Sequence, residues 1–146
     1  LGDYPPVWQN IREILEKNRA LILPESVELE ISTGNLEILG DQMLGKTIYN
    51  LFENSIRHGG QITRITVSYQ QEDNNLILYI KDNGAGIPEE IKDTIFEPGV
   101  GKNTGLGLFF VKEILAMTGM EIFVCNNGAG ACFGIRIPKG SFRFSG

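Results

Sequence analysis

Apolar positions along this chain repeat with two periods, and each change of period marks a change of element. After Pro5-Pro6, the stretch Trp8–Leu21 carries Ile11, Ile14, Leu15 and Leu21 mostly on one helical face, and Pro24 stops it. Val27–Ile31 alternates apolar with acidic residues, the pattern of a strand with one wet face, and Leu36–Leu39 is a second, shorter strand. Asp41 stands where an N-cap belongs for a helix from Gln42 to His58, which Gly59-Gly60 closes. Ile62–Tyr69 and Leu76–Lys81 read as strands around the polar turn Gln70–Asn75. Residues 82–105 are rich in glycine and polar groups, with one helical turn at Glu89–Ile95, and Leu106–Met117 is a strongly apolar helix. Met120–Asn126 and Ala131–Ile137 form a closing hairpin, and Ser141–Gly146 reads as a loose tail. There is no internal repeat and no low-complexity linker.

Composition narrows the picture. With 146 residues the chain fits one domain, and a domain of that size buries roughly 70% of the surface its unfolded chain exposes. The net charge is −5 and no Lys/Arg block stands out, which argues against nucleic acid as a partner. No apolar run approaches the roughly 20 residues of a membrane span, and no signal peptide is visible, so direct membrane contact is not expected. The chain begins at Leu1 without Met and reads as a piece of something longer. Cys125 and Cys132 flank the turn Asn126–Gly130 and can face each other across two strands; free thiols in a cytoplasmic protein are the favoured reading, a disulfide the alternative. Neither has a second Cys or a His at zinc-ligand spacing.

Candidate chemistry gathers in the second half. Successive helical residues turn by about 100°, so Asn50, Asn54 and Arg57 share a narrow sector, while Leu44, Ile48, Leu51, Phe52 and Ser55 take the opposite side. Amide oxygens are hard ligands suited to Mg²⁺, and Arg57 suits a phosphate; the plain alternative is a solvated polar face. Asp82 ends an apolar strand ahead of Gly84 and Gly86, where a carboxylate can accept a hydrogen bond from an adenine exocyclic amine; the alternative is an Asx-turn. The glycine-rich loop Gly101–Gly107 feeds a helix N-terminus, a ready anion site to which Lys102 adds a cation, and otherwise is simply a flexible loop. His58, the only histidine, either contacts a nucleotide or caps the C-terminal end of its helix.

In their order and spacing these motifs resemble the nucleotide-binding boxes of the GHKL superfamily, and most of all the catalytic and ATP-binding domain of two-component sensor histidine kinases. Asn50–His58 matches the N box, Asp82–Ile87 the G1 box, Phe96–Gly99 the F box and Gly101–Leu108 the G2 box. Gly128-Ala-Gly130 looks like the last glycine element before Pro138, and the match spans residues 36–138. The fold implied is an α/β (α+β) two-layer sandwich, a mixed, mostly antiparallel sheet covered by three helices. Residues 1–24 would be the domain's N-terminal helix, 25–140 the ATP-binding body and 141–146 a tail. The resemblance implies that Asn54 holds Mg²⁺ with support from Asn50, and that Asp82 reads adenine. Gly84, Gly86, Gly105 and Gly107 would shape the pocket, with Ile87, His58 and Leu106 beside the nucleotide and Lys102 and Arg57 on the phosphates. The segment between Ile87 and Gly105 would be the lid.

Three positions sharpen the expectation. The F box usually ends in a second aromatic, where this chain has Gly99, and the lid is short, with one Lys and no Arg between Phe96 and Gly105. Hydrolysing members of the superfamily carry a Glu four residues before the metal-binding Asn; here that position is Asn50, which is no base at neutral pH. Loss of a positioned general base costs on the order of 10²–10⁴ in rate, so transfer of the γ-phosphoryl group to another side chain is favoured over hydrolysis. Glu53 lies about 100° from the Asn54 face and is not expected to replace the base. The phosphoacceptor histidine, absent here, would lie on an upstream dimerisation domain of a homodimeric parent, with a response regulator receiver domain as the next acceptor. An anti-sigma-type serine kinase and a non-catalytic nucleotide-binding module are the alternatives.

Overall fold

The computed structural model describes residues 4–99, 107–125 and 128–146. In chain order the elements are β1 (Val7–Asn10), α1 (Ile11–Ile22), β2 (Glu28–Ser32), β3 (Leu36–Gly40), α2 (Leu44–His58), β4 (Arg64–Glu72), β5 (Asn75–Asp82), α3 (Gly107–Ala116), β6 (Glu121–Cys125), β7 (Cys132–Ile137) and β8 (Phe142–Phe144), with a 3-10 turn at Glu89–Ile91. The main sheet has the order β2-β4-β5-β7-β6; β2 runs parallel to β4 and every other neighbour is antiparallel. A second, smaller sheet runs β1-β3-β8. This is the mixed, mostly antiparallel sheet with three helices that the motif order implies.

The core forms between the sheet and the helices. Ile65 and Val67 of β4, Leu78 and Ile80 of β5, and Phe133, Ile135 and Ile137 of β7 alternate inward against Ile48, Leu51 and Phe52 of α2 and Val111 and Leu115 of α3. Ser55 completes the buried side of α2, as the 100° periodicity requires.

The chain departs from its sequence reading in four places, each with a local cause. Trp8 to Asn10 are extended rather than helical: they pair with β3, and helix α1 starts only at Ile11, where the Asn10 side chain accepts from Glu13 N at 2.9 Å. The inward stripe of α1 is Ile11, Leu15 and Asn18, with Leu21 turned out at 66% exposure. Asn18 is buried because its amide donates to Ile14 O at 3.0 Å and Gly45 O at 3.1 Å. Asp41 is not the N-cap of α2: its Oδ1 accepts from Met43 N at 2.8 Å, closing an Asx-turn that delays the helix to Leu44. The polar stretch 70–75 is mostly strand, since pairing continues to Glu72 opposite Asn75 and leaves only Asp73 and Asn74 in the turn, Asp73 at φ +54°.

The tail is the fourth departure. Phe142–Phe144 is a strand on β3, its backbone continued by Ser145 N donating to Asn35 O at 3.1 Å. Phe144 packs on Tyr69 with centroids 5.4 Å apart, and Arg143 pairs with Glu37 at 2.6 Å while lying 4.1 Å from the Trp8 ring. Three alternating residues are too short a period to stand out in a sequence. Deleting residues 141–146 removes that strand and the half-burial of Phe142; the unfolding free energy should fall by about 1–2 kcal/mol, seen as a lower urea midpoint at unchanged slope. A tail that only dangles would leave the midpoint where it is.

Candidate functional site

Asp82 ends β5 with 8% of its surface exposed. A carboxylate this deeply buried needs hydrogen-bond donors. Its Oδ1 accepts from Gly84 N at 2.9 Å, which is the Asx-turn, and from Ala131 N at 3.0 Å across the sheet. Oδ2 has no partner among the described residues. Turn and recognition are therefore not rivals here: one oxygen holds the loop and the other is left as a fixed acceptor.

The loop after Asp82 is held from both sides. Asn83 Oδ1 accepts from Thr63 N and Arg64 N at 3.0 and 3.1 Å, and its Nδ2 donates to Thr63 Oγ1 at 2.8 Å. Ala85 N donates to Gly59 O at 2.9 Å, which seats the loop on the C-terminal end of α2. A Cβ at Gly84 would lie 2.3 Å from Gly59 O, one at Gly86 2.6 Å from Ala129 O, and one at Gly130 1.8 Å from Asp82 O. All three clashing atoms are backbone, so only glycine lets α2, the loop and the start of β7 pack this closely. Gly84 and Gly86, expected to shape the pocket, have other chain segments as their nearest neighbours, and Gly86 turns the chain at φ +86°. Gly59 is the expected end of α2, but its contact with the loop is not legible in the sequence, nor are the contacts of Gly130 and Ala131, for which the Gly128-Ala-Gly130 run before an apolar strand is the one available signal.

Helix α2 carries the amides. Asn50 and Asn54 are half-buried, and neither side chain has a hydrogen-bond partner among the described residues. Two uncommitted amide oxygens one turn apart are hard ligands, a donor set that fits Mg²⁺ keeping most of its waters. Arg57 is exposed and pairs with Glu53 at 3.3 Å, and His58 is the exposed last residue of the helix. That pairing also occupies the Glu53 carboxylate.

Beyond the loop, Ile87 is half-buried against the core, and Phe96 is buried edge-on to Phe133 with centroids 6.1 Å apart. Gly99 stands at φ +82°, a conformation in which the aromatic usual at this place in the F box would be strained. Gly107 opens α3, with open space where a Cβ would stand. Lys102, Gly105 and Leu106 lie outside the described residues. The structure thus brings together Asp82, Gly84, Gly86 and the end of α2, and leaves the G2 glycine loop unassigned.

A cavity of about 280 Å³ lies between residues 85–88, residues 128–132 and Cys125. Cys132 alternates with core-facing Phe133, which puts the cysteine end of this cavity on the face of the sheet away from the helices. Cys125 and Cys132 are free and sit directly opposite each other. A hydrogen bond to the Cys132 sulfur, with burial added, pushes the Cys125 thiol up; the same bond, helped by the Lys81 ammonium, brings the Cys132 thiol down.

The family described as histidine kinase-, DNA gyrase B-, and HSP90-like ATPase matches residues 41–141. Sensor histidine kinase CssS of Bacillus subtilis (strain 168) is 29% identical over 130 residues, which are 87% of this chain and 28% of that protein. The alginate biosynthesis sensor protein KinB of Pseudomonas aeruginosa is 32% identical over 120 residues, 77% of this chain and 20% of KinB. This chain therefore spans about a quarter of the length of such relatives. The solved mycobacterial sensor histidine kinase MprB has the same fold, with a TM-score of 0.78 at 23% identity over 91% of this chain and 97% of that one. Taken with the anchored Asp82 loop and the amide face of α2, the match over residues 41–141 places the chain in the family of histidine kinase-, DNA gyrase B- and HSP90-like ATPases.

Proposed function

We propose that this chain is the ATP-binding catalytic domain of a sensor histidine kinase, which passes the γ-phosphoryl group of Mg·ATP to a histidine on an upstream domain. The observation that carries this reading is Asp82: buried, fixed through Oδ1 by two backbone N–H groups, and presenting Oδ2 as an acceptor. An acceptor locked in that way distinguishes adenine, whose exocyclic amine donates, from guanine, whose carbonyl at the corresponding position does not.

The chain's own residues contribute by position. Asp82 fixes the base, the loop at 84–87 bounds it, and the polar face of α2 turns Asn54 and Asn50 toward the phosphates. A magnesium ion held at Asn54 supplies charge neutralisation on those phosphates when bound. Arg57 exchanges Glu53 for a phosphate oxygen, a small cost for an exposed pair. With an amide at position 50 and Glu53 about 100° off the Asn54 face, no carboxylate on that face of α2 is placed to activate water, which supports transfer over hydrolysis. In-line transfer of this kind depends chiefly on positioning and electrostatic stabilisation.

The names of the relatives support a two-component setting. The neighbour histidine kinase ThkA, 23% identical with a TM-score of 0.73, has been solved in complex with response regulator protein TrrA. A receiver domain of that type is the partner we assign to the parent, with an upstream dimerisation and phosphoacceptor domain in a homodimer. No helix among the described residues is long and apolar enough to cross a membrane, and we place the domain in the cytoplasm, where ATP is available.

Two substitutions test the site. In Asp82→Asn the amide oxygen can keep the bonds from Gly84 and Ala131, so the fold should survive by circular dichroism while an NH₂ replaces Oδ2. Loss of a hydrogen bond to a charged group is worth about 1.5–3 kcal/mol, so ATP-analogue affinity should drop roughly 10- to 150-fold. Asn54→Ala should abolish the Mg²⁺ dependence of binding; unchanged binding in both variants would refute the site. In the full-length parent, label from γ-³²P ATP should appear in an acid-labile, base-stable phosphohistidine, and a stable phosphoserine or no label at all would contradict the assignment.

A further inference from the structure

The cavity shares Gly86 and Ile87 with the loop assigned to the nucleotide, and its other end is lined by both cysteines of the chain, which the nucleotide reading does not use. Cys125 and Cys132 are a directly opposed antiparallel pair on β6 and β7. Opposed residues in such a ladder have Cα atoms roughly 4.5–5.5 Å apart, inside the roughly 4.4–6.8 Å that a disulfide spans. Their Cβ atoms start roughly 4.5–5.5 Å apart, whereas a disulfide draws them to roughly 3.5–4.5 Å. Closing the pair therefore requires a small inward movement of both strands, and a bond formed under that strain is readily reduced. Lys81 stands opposite Cys132 on β5, and its ammonium favours the Cys132 thiolate against the burial of that sulfur.

We propose that Cys125 and Cys132 are a reversible thiol–disulfide site, reached through this cavity, whose oxidant is a low-molecular-weight disulfide. The Cys132 thiolate attacks one sulfur of the disulfide R–S–S–R, breaking its S–S bond and releasing one RS⁻. The Cys125 thiol then gives up its proton, and its sulfur attacks Cys132 Sγ in the mixed disulfide. The Cys125–Cys132 bond forms and a second RS⁻ leaves. The two protein thiols lose two electrons and two protons, and the oxidant becomes two RSH.

The site is wired to the nucleotide loop. Ala131, whose N–H holds Asp82 Oδ1, is the residue before Cys132, and Gly130 lies against Asp82 O. Drawing β7 toward β6 moves that donor, so the oxidised state should bind nucleotide less tightly. This regulatory half rests on the function proposed above.

The test uses the whole chain and 2-hydroxyethyl disulfide, small enough for the cavity, with intact-mass spectrometry and thiol titration. The expected product has lost two hydrogen atoms, has no titratable thiol and is restored by dithiothreitol. Cys125→Ser should instead stop at a single mercaptoethanol adduct on Cys132, and Cys132→Ala should gain no internal bond. Retention of both thiols, or two adducts on the wild type, overturns the proposal. The affinity for an ATP analogue, measured before and after oxidation, should fall several-fold and recover on reduction; equal affinities overturn the regulatory half. A reduced protein that does not bind the analogue would count against the nucleotide reading alone, because the mass readout does not depend on it.

Discussion

A carboxylate that gives up its water must find donors elsewhere, and the way Asp82 does so organises this domain. Oδ1 receives one N–H from the loop that follows it and one from β7. Asn83 ties the same loop to the start of β4, and Ala85 ties it to the end of α2. Three stretches of chain, residues 59–64, 82–85 and 130–131, thereby meet at one strand end. Glycine at 84, 86 and 130 is what lets their backbones come that close. The outcome is an acceptor whose direction is set by the fold before any ligand arrives, the kind of preorganisation that gives selectivity without a reorganisation cost.

Helix α2 is coupled to that point through its buried side. Leu51, Phe52 and Ser55 pack into the core, which fixes the rotation of the helix and so the direction of Asn50 and Asn54. The Gly59 carbonyl then meets Ala85 at the helix end. The groups proposed for base recognition and for cation binding are in this way held on one packed core. That suits a reaction governed by geometry and charge, in which no side chain needs to act as a base on the α2 face.

Much of this was readable in the residues because the signals are long or regular. The α2 periodicity separated Asn50 and Asn54 from Ile48 and Phe52 correctly, since a fifteen-residue helix shows its stripe over four turns. Strands β4 and β5 announced themselves by alternation up to Asp82. What failed to show was short or depended on contacts between distant segments. Phe142–Phe144 offers three residues of alternation, and only pairing with β3 makes it a strand. Asp41 satisfied the composition of an N-cap, but its carboxylate bonded Met43 N, just before the helix, instead of an N–H within it. Gly130 and Ala131 could not be given roles, because what they touch is Asp82, forty-nine residues away from Ala131 in the chain. The N-terminal Trp8–Asn10 segment was drawn into the helix by its neighbours' pattern, while the structure commits it to a ladder with β3.

The central claim is that Asp82 makes this an adenine-selective, magnesium-assisted nucleotide site. Calorimetric titration of the domain with non-hydrolysable analogues of ATP and of GTP, each with and without Mg²⁺, tests it most directly. The account predicts binding of the adenine nucleotide, strengthened by Mg²⁺, and weaker binding of the guanine nucleotide by at least about 1.4 kcal/mol, a tenfold difference. Equal affinity for the two bases, or no binding of either, would contradict it.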